Sequence, residues 1–197
     1  MADVWKPKED DVVDLSQIGT LDWLRFALRA IPIVVLILIC LTALLLLRLI
    51  ERPLFGLGRP ITPFITQFVC RNAFRIMGMR FSVKGTQMTH PGAVVANHSS
   101  WLDIFALNAA KRVYFVSKSE VANWPGIGLL AKATGTVFIE RNPRKAKAQK
   151  EVFEARLKAG HKLLFFPEGT STDGLRVLPF KSTLFAAFFA QDLKEIL

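Results

Sequence analysis

Hydrophobic residues are most concentrated near the amino terminus of this chain. Residues 30–47 form a run of eighteen positions without a charge, and arginines flank the run at both ends. A run of this length is at the lower limit for crossing a ~30 Å hydrocarbon core. A cleaved signal peptide does not fit, because the run begins thirty residues into the chain and no small-residue cleavage site follows it. The pattern predicts a membrane-embedded helix near residues 21–50, with a buried core helix as the alternative.

A second helix is predicted after a break rich in proline and glycine at residues 52–60. Residues 63–77 are amphipathic, and Arg71 and Arg75 lie four apart, on one face of a helix. This pattern is typical of a helix that lies in the membrane interface. Because both flanks of the preceding apolar run are basic, charge does not decide whether that run crosses the membrane or returns to the same side.

From residue 92 onward, short apolar runs alternate with helical patterns. This alternation predicts an α/β fold, a mostly parallel sheet flanked by helices, behind an N-terminal membrane-embedded helical segment. The predicted strands are 81–85, 93–96, 113–117, 136–139 and 162–166, and the predicted helices are 100–110, 125–133 and 143–160. The chain is thereby divided into an acidic flexible tail (1–20), membrane-anchoring helices (21–79) and a main domain (80–197).

The net charge of +10 is unevenly distributed along the chain. Residues 1–24 hold two lysines and six acids, so the rest of the chain carries +14. A basic body behind a membrane anchor is attracted to anionic lipid head groups and to acidic substrates. The chain has no basic and aromatic motif typical of nucleic-acid-binding proteins, so no nucleic-acid partner is predicted. Two cysteines, Cys40 and Cys70, give no disulfide framework and favour a cytosol-facing protein.

A histidine and an aspartate follow the strand predicted at residues 93–96. His98 and Asp103 are five residues apart, which would turn them about 140° from each other on a continuous helix. They converge only if His98 lies on the loop that leaves the strand and Asp103 lies in the turn that follows. An aspartate bonded to a histidine holds the imidazole in the tautomer that accepts a proton. We therefore interpret His98 as a general base and Asp103 as its orienting carboxylate, an arrangement that implies attack by an activated hydroxyl.

Two serines next to the histidine suggest an alternative, a serine hydrolase. Ser99 or Ser100 would then be a nucleophile activated by His98. Adjacent residues seldom meet productively, however, and the chain has no G-x-S-x-G motif. Capping of the next helix is the simpler interpretation of both serines.

Four blocks of sequence resemble the glycerolipid acyltransferase family, whose type members are the lysophosphatidic acid acyltransferases. The blocks are NHSSWLD (97–103), GTVFIER (135–141), FPEGT (166–170) and VLPFK (177–181). They stand in the family's order and spacing, within residues 81–185. The resemblance implies that residues 80–197 are an acyltransferase domain and that the preceding helical pair is embedded in one leaflet.

The resemblance also implies roles for other residues. In the family the FPEGT block holds the polar end of the acceptor, and Arg141 is a candidate for binding an anionic group on acceptor or donor. The expected substrate-binding residues are Glu168, Gly169, Thr170, Arg141, Ser171, Lys118 and Lys181. No bound cofactor and no metal are expected, since acyl carrier protein or coenzyme A would bring the acyl group as a thioester co-substrate.

One departure from the family pattern concerns the acceptor. Lysophosphatidic acid acyltransferases typically read FPEGTRS, with an arginine placed to bind phosphate, whereas this chain has Ser171 in that position. The loss of a bidentate cation weakens the case for a phosphate monoester. Asp173 is expected to repel phosphate and to favour an amine, although Arg176 could still supply a cation. The stretch GTSTDGLRVLPFKS resembles the lyso-ornithine lipid acyltransferase branch, in which the acceptor is a 3-hydroxyacyl amide of an amino acid.

The predicted protein is thus a membrane-bound O-acyltransferase that moves a fatty acyl group to the hydroxyl of a lysolipid, with an ornithine-type aminolipid as the favoured acceptor. Its expected location is a bacterial inner membrane, with the catalytic domain facing the cytoplasm. The alternatives are phosphatidic acid synthesis and a non-catalytic lipid-binding module. The chain ends sixteen residues after Lys181, where family members usually continue, so we expect a short version of the domain or a sheet that lacks a part.

Overall fold

A computed structural model describes residues 18–140, 143–182 and 185 of the chain. Within these residues it has five α-helices and four strands. The helices are α1 (Thr20–Phe55), α2 (Thr62–Met77), α3 (Leu102–Ala110), α4 (Ile127–Thr134) and α5 (Ala146–Lys158). The strands are β1 (Gly92–Val95), β2 (Tyr114–Lys118), β3 (Val137–Ile139) and β4 (Lys162–Phe165). Short 3₁₀ turns at Ser119–Asn123 and Pro143–Lys145 precede α4 and α5.

The first helix is much longer than the apolar run that predicted it. At 36 residues α1 extends about 54 Å, more than the hydrocarbon thickness of a bilayer. Only 6% of its most apolar window is buried by the rest of the protein, so its leucines and isoleucines face outward. The core helix of a soluble protein, which was the alternative, would be mostly buried. The observed exposure agrees instead with the predicted membrane-embedded segment.

A buried carboxylate joins the first helix to the second. Glu51 accepts backbone N–H bonds from Ile61 (2.8 Å) and Thr62 (3.1 Å) and the Thr62 hydroxyl bond at 2.6 Å. Arg48 neutralises the same carboxylate at 3.0 Å. Because the first N–H groups of a helix have no partners within it, Glu51 satisfies donors that α2 would otherwise leave unpaired. The two helices are therefore held at a defined angle.

The four strands form one parallel sheet in the order β1-β4-β2-β3. The last strand inserts between the first two, so that β1 pairs with a strand about seventy residues later in the chain. Right-handed crossovers then require α3 and α4 to lie on one face of the sheet and α5 on the other. The α/β fold predicted from the sequence is confirmed.

The strand predicted at residues 81–85 is wrong. The chain there is irregular, and within the described residues no strand pairs with it. The alternating pattern has a local explanation instead, because the Phe81 ring stacks on Phe74 of α2, with ring centres 5.2 Å apart. The segment thus covers α2 on its way to β1.

Two apolar clusters stabilise the fold. In the first, Phe153 of α5 is buried against Leu163 and Phe165 of β4. In the second, α2 packs on α3 through Cys70, Phe74 and Ala109. Besides these apolar contacts, Arg71 of α2 donates through Nε to the carbonyl of Ala109 at 2.9 Å. Helix α2 is therefore fastened to α3, the helix that carries Asp103.

A group of buried basic side chains lies at the amino ends of the strands. The ring of His161, just before β4, stacks on Tyr114 at the start of β2 with centres 4.0 Å apart. Arg156 lies over the same tyrosine and donates to the carbonyl of Gly135 at 3.0 Å. Arg59, from the segment between α1 and α2, donates to the carbonyl of Ala133 at 2.7 Å. These contacts join the helical pair to the sheet at the edge opposite His98.

The buried histidine predicts a pH dependence of stability. Burial, with Arg156 and Arg59 nearby, lowers the pKa of His161 to about 4, against about 6.5 for an exposed histidine. The unfolded chain therefore binds a proton below pH ~6.5 that the folded protein refuses until about pH 4, and folding is weakened across that interval. Between pH ~6.5 and ~4 the wild type should lose on the order of 3 kcal/mol of unfolding free energy through His161. The variant His161→Phe, which keeps a ring against Tyr114, should not show this loss.

The measurement is the free energy of unfolding in detergent micelles, by chemical denaturation at several pH values. The carboxylates titrate in both proteins, so the difference between the two curves isolates His161. Equal slopes in wild type and variant would contradict the prediction.

Candidate active site

The two central sequence blocks leave neighbouring strands at the same edge of the sheet. Val95 at the end of β1 is in register with Phe165 at the end of β4. The loop of residues 96–101 and the turn of residues 166–170 therefore begin side by side, at the carboxyl edge of a parallel sheet. This edge is where open α/β folds usually bind their ligands.

His98 and Asp103 are in contact, as their spacing predicts. The Nδ1 atom of His98 lies 2.8 Å from Oδ2 of Asp103. A carboxylate only accepts, so Nδ1 carries the proton and Nε2 is left with a free lone pair. The two side chains are 21% and 23% exposed, which leaves the pair accessible to a substrate. The arrangement suits a general base.

The aspartate is itself held by the start of the following helix. Oδ2 of Asp103 accepts backbone N–H bonds from Ser99 (2.7 Å) and Ser100 (2.9 Å). Asp103 lies in the first turn of α3, where the helix dipole favours a negative charge. The carboxylate of Asp103 therefore both fixes the backbone of the loop and orients the imidazole of His98.

The backbone of His98 is held by a second carboxylate. Glu168 is only 1% exposed, and its Oε1 accepts the N–H of His98 at 2.9 Å while its Oε2 accepts the N–H of Leu178 at 3.0 Å. Glu168 thus connects the histidine loop, its own turn and the segment after it. The structure gives Glu168 this connecting role, whereas the contact with the acceptor expected from the sequence stays a prediction.

Two residues that the sequence reasoning missed complete the support of His98. The imidazole stacks on the ring of Phe166, with centres 4.0 Å apart and planes 10° apart. Thr172, which is buried, donates its N–H to the carbonyl of His98 at 2.9 Å. Both follow β4, and only the pairing of β4 with β1 brings them to the histidine. Knowledge of that strand order was the missing signal.

Gly169 and Lys181 are also brought together at this edge. Gly169 has a φ of +72°, a conformation that disfavours side chains, and a Cβ added there would lie 2.9 Å from Nζ of Lys181. The N–H of Lys181 donates to the carbonyl of Pro167 at 2.9 Å. The predicted lysine thus lies directly over the turn that carries Gly169.

The remaining predicted residues are less closely grouped. Thr170 and the exposed Ser171 continue the turn after Gly169, and the exposed Lys118 ends β2 at the same edge of the sheet. Arg141 lies outside the described residues. In the part of the chain that is described, no three His, Cys, Asp or Glu side chains come together as a metal ion would require.

Ser99 and Ser100 make hydrogen bonds that hold the loop in place. The N-cap residue of α3 is Trp101 and not a serine, but Oγ of Ser100, one residue earlier, accepts the N–H of Leu102 at 3.2 Å. In the described residues no hydrogen bond joins the hydroxyl of Ser99 or Ser100 to the imidazole of His98. The contact that a serine hydrolase needs is not formed.

The aspartate near the acceptor block is paired. Oδ2 of Asp173 binds Nη2 of Arg176 at 2.9 Å. The sequence predicts that Asp173 repels phosphate and favours an amine, with Arg176 as a further cation. The structure joins the acid and the base as an ion pair, and their effect on the acceptor stays a prediction.

Comparison with known proteins identifies a family and relatives of this chain. The model of the Acyltransferase family matches residues 79–194. A lyso-ornithine lipid O-acyltransferase of Rhodobacter capsulatus is 61% identical over 173 residues, which cover 88% of this chain and 63% of that protein. A second protein of that name, from Brucella abortus, is 42% identical over 130 residues, covering 64% of this chain and 48% of the relative.

Other relatives act on a phosphate acceptor by name. A 1-acyl-sn-glycerol-3-phosphate acyltransferase of Neisseria gonorrhoeae is 44% identical over 100 residues, which cover 49% of this chain and 39% of that protein. The crystal structure of a 1-acyl-sn-glycerophosphate acyltransferase from Thermotoga maritima has a TM-score of 0.54 and 22% identity, covers 83% of this chain and 71% of that one, and so supports the fold. The chain spans less than two thirds of the length of the three curated relatives.

Glu168 accepts two hydrogen bonds, one on each carboxylate oxygen, and this arrangement leads to a prediction about stability. In Glu168→Gln one carboxylate oxygen becomes an NH₂ group, which cannot accept, so the N–H of His98 or of Leu178 loses its buried partner. The expected loss is about 1–3 kcal/mol in the free energy of unfolding. Thermal and chemical denaturation of the purified protein measure it.

The matched control is Glu154→Gln on α5, where the acid forms only a loose 3.8 Å pair with Lys150. This change should alter stability by less than about 0.5 kcal/mol. Equal effects of the two substitutions would show that Glu168 does not connect the segments.

Proposed function

The chain belongs to the acyltransferase family, and on that premise we propose that it transfers a fatty acyl group from a thioester to the hydroxyl of a lysolipid. The observation that carries the proposal is the His98–Asp103 pair at the carboxyl edge of the sheet, at 2.8 Å and partly exposed. The donor is acyl carrier protein or coenzyme A carrying the acyl group, and the favoured acceptor is a lyso-ornithine lipid, as the names of the most similar relatives suggest.

The proposed reaction is a direct transfer. Nε2 of His98 removes the proton of the acceptor hydroxyl while the hydroxyl oxygen attacks the thioester carbonyl carbon. The carbon–sulfur bond then breaks, the ester remains on the acceptor, and the thiolate takes the proton from the imidazolium. Asp103 stabilises the positive charge that the imidazole carries between these two steps.

The neighbouring cations and turns support substrate binding. Lys181 over Gly169, with Thr170 and Ser171 beyond it, lies where an acceptor could reach the base. Arg141 and Lys118 are further proposed contacts for anionic groups of the substrates. Glu168 acts in this proposal through His98 and Leu178, whose backbone it holds.

A membrane location is part of the proposal. The outer face of α2 carries exposed Phe64 and Phe68, followed at helical spacing by Arg71 and Arg75. These side chains line a groove of about 220 Å³ together with Gln67 and Asn72. An aromatic and basic stripe of this kind is suited to the interface of an anionic bilayer, beside the apolar surface of α1. The proposed membrane is the bacterial inner membrane, with the sheet on the cytoplasmic side.

An activity assay tests the chemistry and the acceptor together. The protein, reconstituted in vesicles, is offered an acyl thioester with lyso-ornithine lipid or lysophosphatidic acid, and the ester products are measured. We expect transfer to the aminolipid, and a loss of roughly 10²–10⁴-fold in kcat for His98→Ala, because the general base is removed. The controls Ser99→Ala and Ser100→Ala should retain an activity that His98→Ala abolishes.

Other outcomes decide among the alternatives. Product from lysophosphatidic acid alone would favour phosphatidic acid synthesis, which the Neisseria relative carries out by name. An acyl-enzyme formed on a serine would favour a hydrolase. Absence of product from folded protein, with lipid binding intact, would favour a non-catalytic module.

Spin labels test the position of α2. After Cys40 and Cys70 are replaced by alanine, a label is attached at Phe64→Cys, Phe68→Cys or, as a control, Lys158→Cys at the exposed end of α5. In vesicles, labels at 64 and 68 should collide with oxygen dissolved in lipid and be shielded from an aqueous nickel complex. The label at 158 should show the reverse. Similar aqueous accessibility at 68 and 158 would contradict an interfacial α2.

A further inference from the structure

The turn of residues 173–176 lies directly against the loop that carries His98. Thr172, the residue before it, donates its N–H to the carbonyl of His98 at 2.9 Å. On the other side of the turn, a Cβ added to Gly174 would lie 3.5 Å from Oγ of Ser99, the residue after the base. The hydroxyl of Thr172 also bonds to the carbonyl of Arg176 at 3.2 Å. The backbone of this turn is therefore held against the loop of His98.

The turn presents a positive and a negative group side by side. Nη2 of Arg176 lies 2.9 Å from Oδ2 of Asp173, and the two side chains are 54% and 18% exposed. The other oxygen of Asp173 accepts the N–H of Leu175 at 3.0 Å, which fixes the direction of the carboxylate. A guanidinium has five N–H donors and a carboxylate has about four acceptor positions, so both groups keep capacity for a ligand while they remain paired.

We propose that the Asp173–Arg176 pair binds the zwitterionic head group of the acceptor, an inference that rests on the proposed acyl transfer to a lyso-ornithine lipid. That lipid is an amide of ornithine, so it carries a free carboxylate and a free side-chain ammonium. The carboxylate binds the guanidinium of Arg176 and the ammonium binds the carboxylate of Asp173. The four charges then alternate in sign, and every group gains an opposite neighbour.

The same pair disfavours a phosphate monoester. A phosphate carries about −1.5 to −2 charges at pH 7 and no positive group. Arg176 is already partly neutralised by Asp173, and the aspartate repels the phosphate at close range. Ser171 provides no cation in the turn. The two charges of Asp173 and Arg176 together therefore favour a zwitterionic head group over a phosphate. The ion pair, and not one charge of it, thus selects the acceptor.

Location distinguishes this pair from the other ion pairs on the surface. Arg25–Asp22 on α1 and Lys150–Glu154 on α5 lie within single helices at the ordinary spacings of three and four residues. A further surface pair, Lys145–Glu140, joins the residue after β3 to the 3₁₀ turn before α5. Asp173 and Arg176 instead belong to an irregular segment that is bonded to the backbone of the catalytic histidine. An exposed ion pair contributes little to stability. A pair held beside the loop of His98 is therefore better explained by ligand binding.

Three acceptors that differ only in charge test the proposal. They are the 3-hydroxyacyl amides of ornithine, of norvaline, which lacks the ammonium, and of putrescine, which lacks the carboxylate. Initial rates of transfer are measured for wild type, Asp173→Asn and Arg176→Gln. Asp173→Asn should raise KM roughly 10- to 100-fold for the ornithine and putrescine acceptors and leave the norvaline acceptor nearly unchanged. Arg176→Gln should affect the ornithine and norvaline acceptors and spare the putrescine acceptor.

The matched control is Lys158→Gln, which removes an exposed charge at the opposite edge of the sheet and should leave all three KM values unchanged. Unequal melting temperatures would reveal a folding defect, and the ratio of kcat/KM values between acceptors within one variant is independent of the amount of folded protein. If each substitution lowers kcat/KM equally for all three acceptors, the pair has a structural role and the proposal is overturned. If wild type acylates none of the three, the proposed acyl transfer itself fails, whereas failure of the pair alone leaves wild-type transfer to the ornithine acceptor in place.

Discussion

The position of His98 depends on one buried carboxylate that two distant backbone N–H groups share. Glu168 binds the N–H of His98 and the N–H of Leu178, and so joins segments that are otherwise separate loops. Loops at the edge of a sheet have few apolar contacts to hold them, and an unpaired buried N–H is costly. A charged acceptor with two oxygens satisfies both donors and fixes the distance between them.

The same device occurs at two other places in the chain. Asp103 accepts the N–H groups of Ser99 and Ser100, and Glu51 accepts those of Ile61 and Thr62. Glu51 sets the angle of the helical pair, Asp103 sets the loop and the imidazole, and Glu168 sets the loop against the sheet. Since Arg71 fastens α2 to the carbonyl of Ala109 in α3, these contacts form a continuous path from α1 and α2 to His98.

Local chemistry could be predicted from the sequence, whereas contacts that depend on strand order could not. The His98–Asp103 contact follows from a spacing of five residues across a loop, and α2 follows from its periodicity. Phe166 and Thr172 support the histidine only because β4 inserts between β1 and β2, and no local pattern encodes that insertion. The false strand at 81–85 arose because alternation also fits a segment whose Phe81 packs on a helix.

The insertion of β4 also has a consequence for synthesis of the protein. A nascent chain that has left the ribosome as far as α5 already contains α1, α2 and the residues His98 and Asp103. It lacks the strand that lies between β1 and β2, however, and the carboxylate that holds the histidine loop. Long-range parallel pairing is slow to form, and domains fold as their segments emerge. The loop of His98 is therefore translated early but reaches its described position only after β4 and Glu168 have been synthesised.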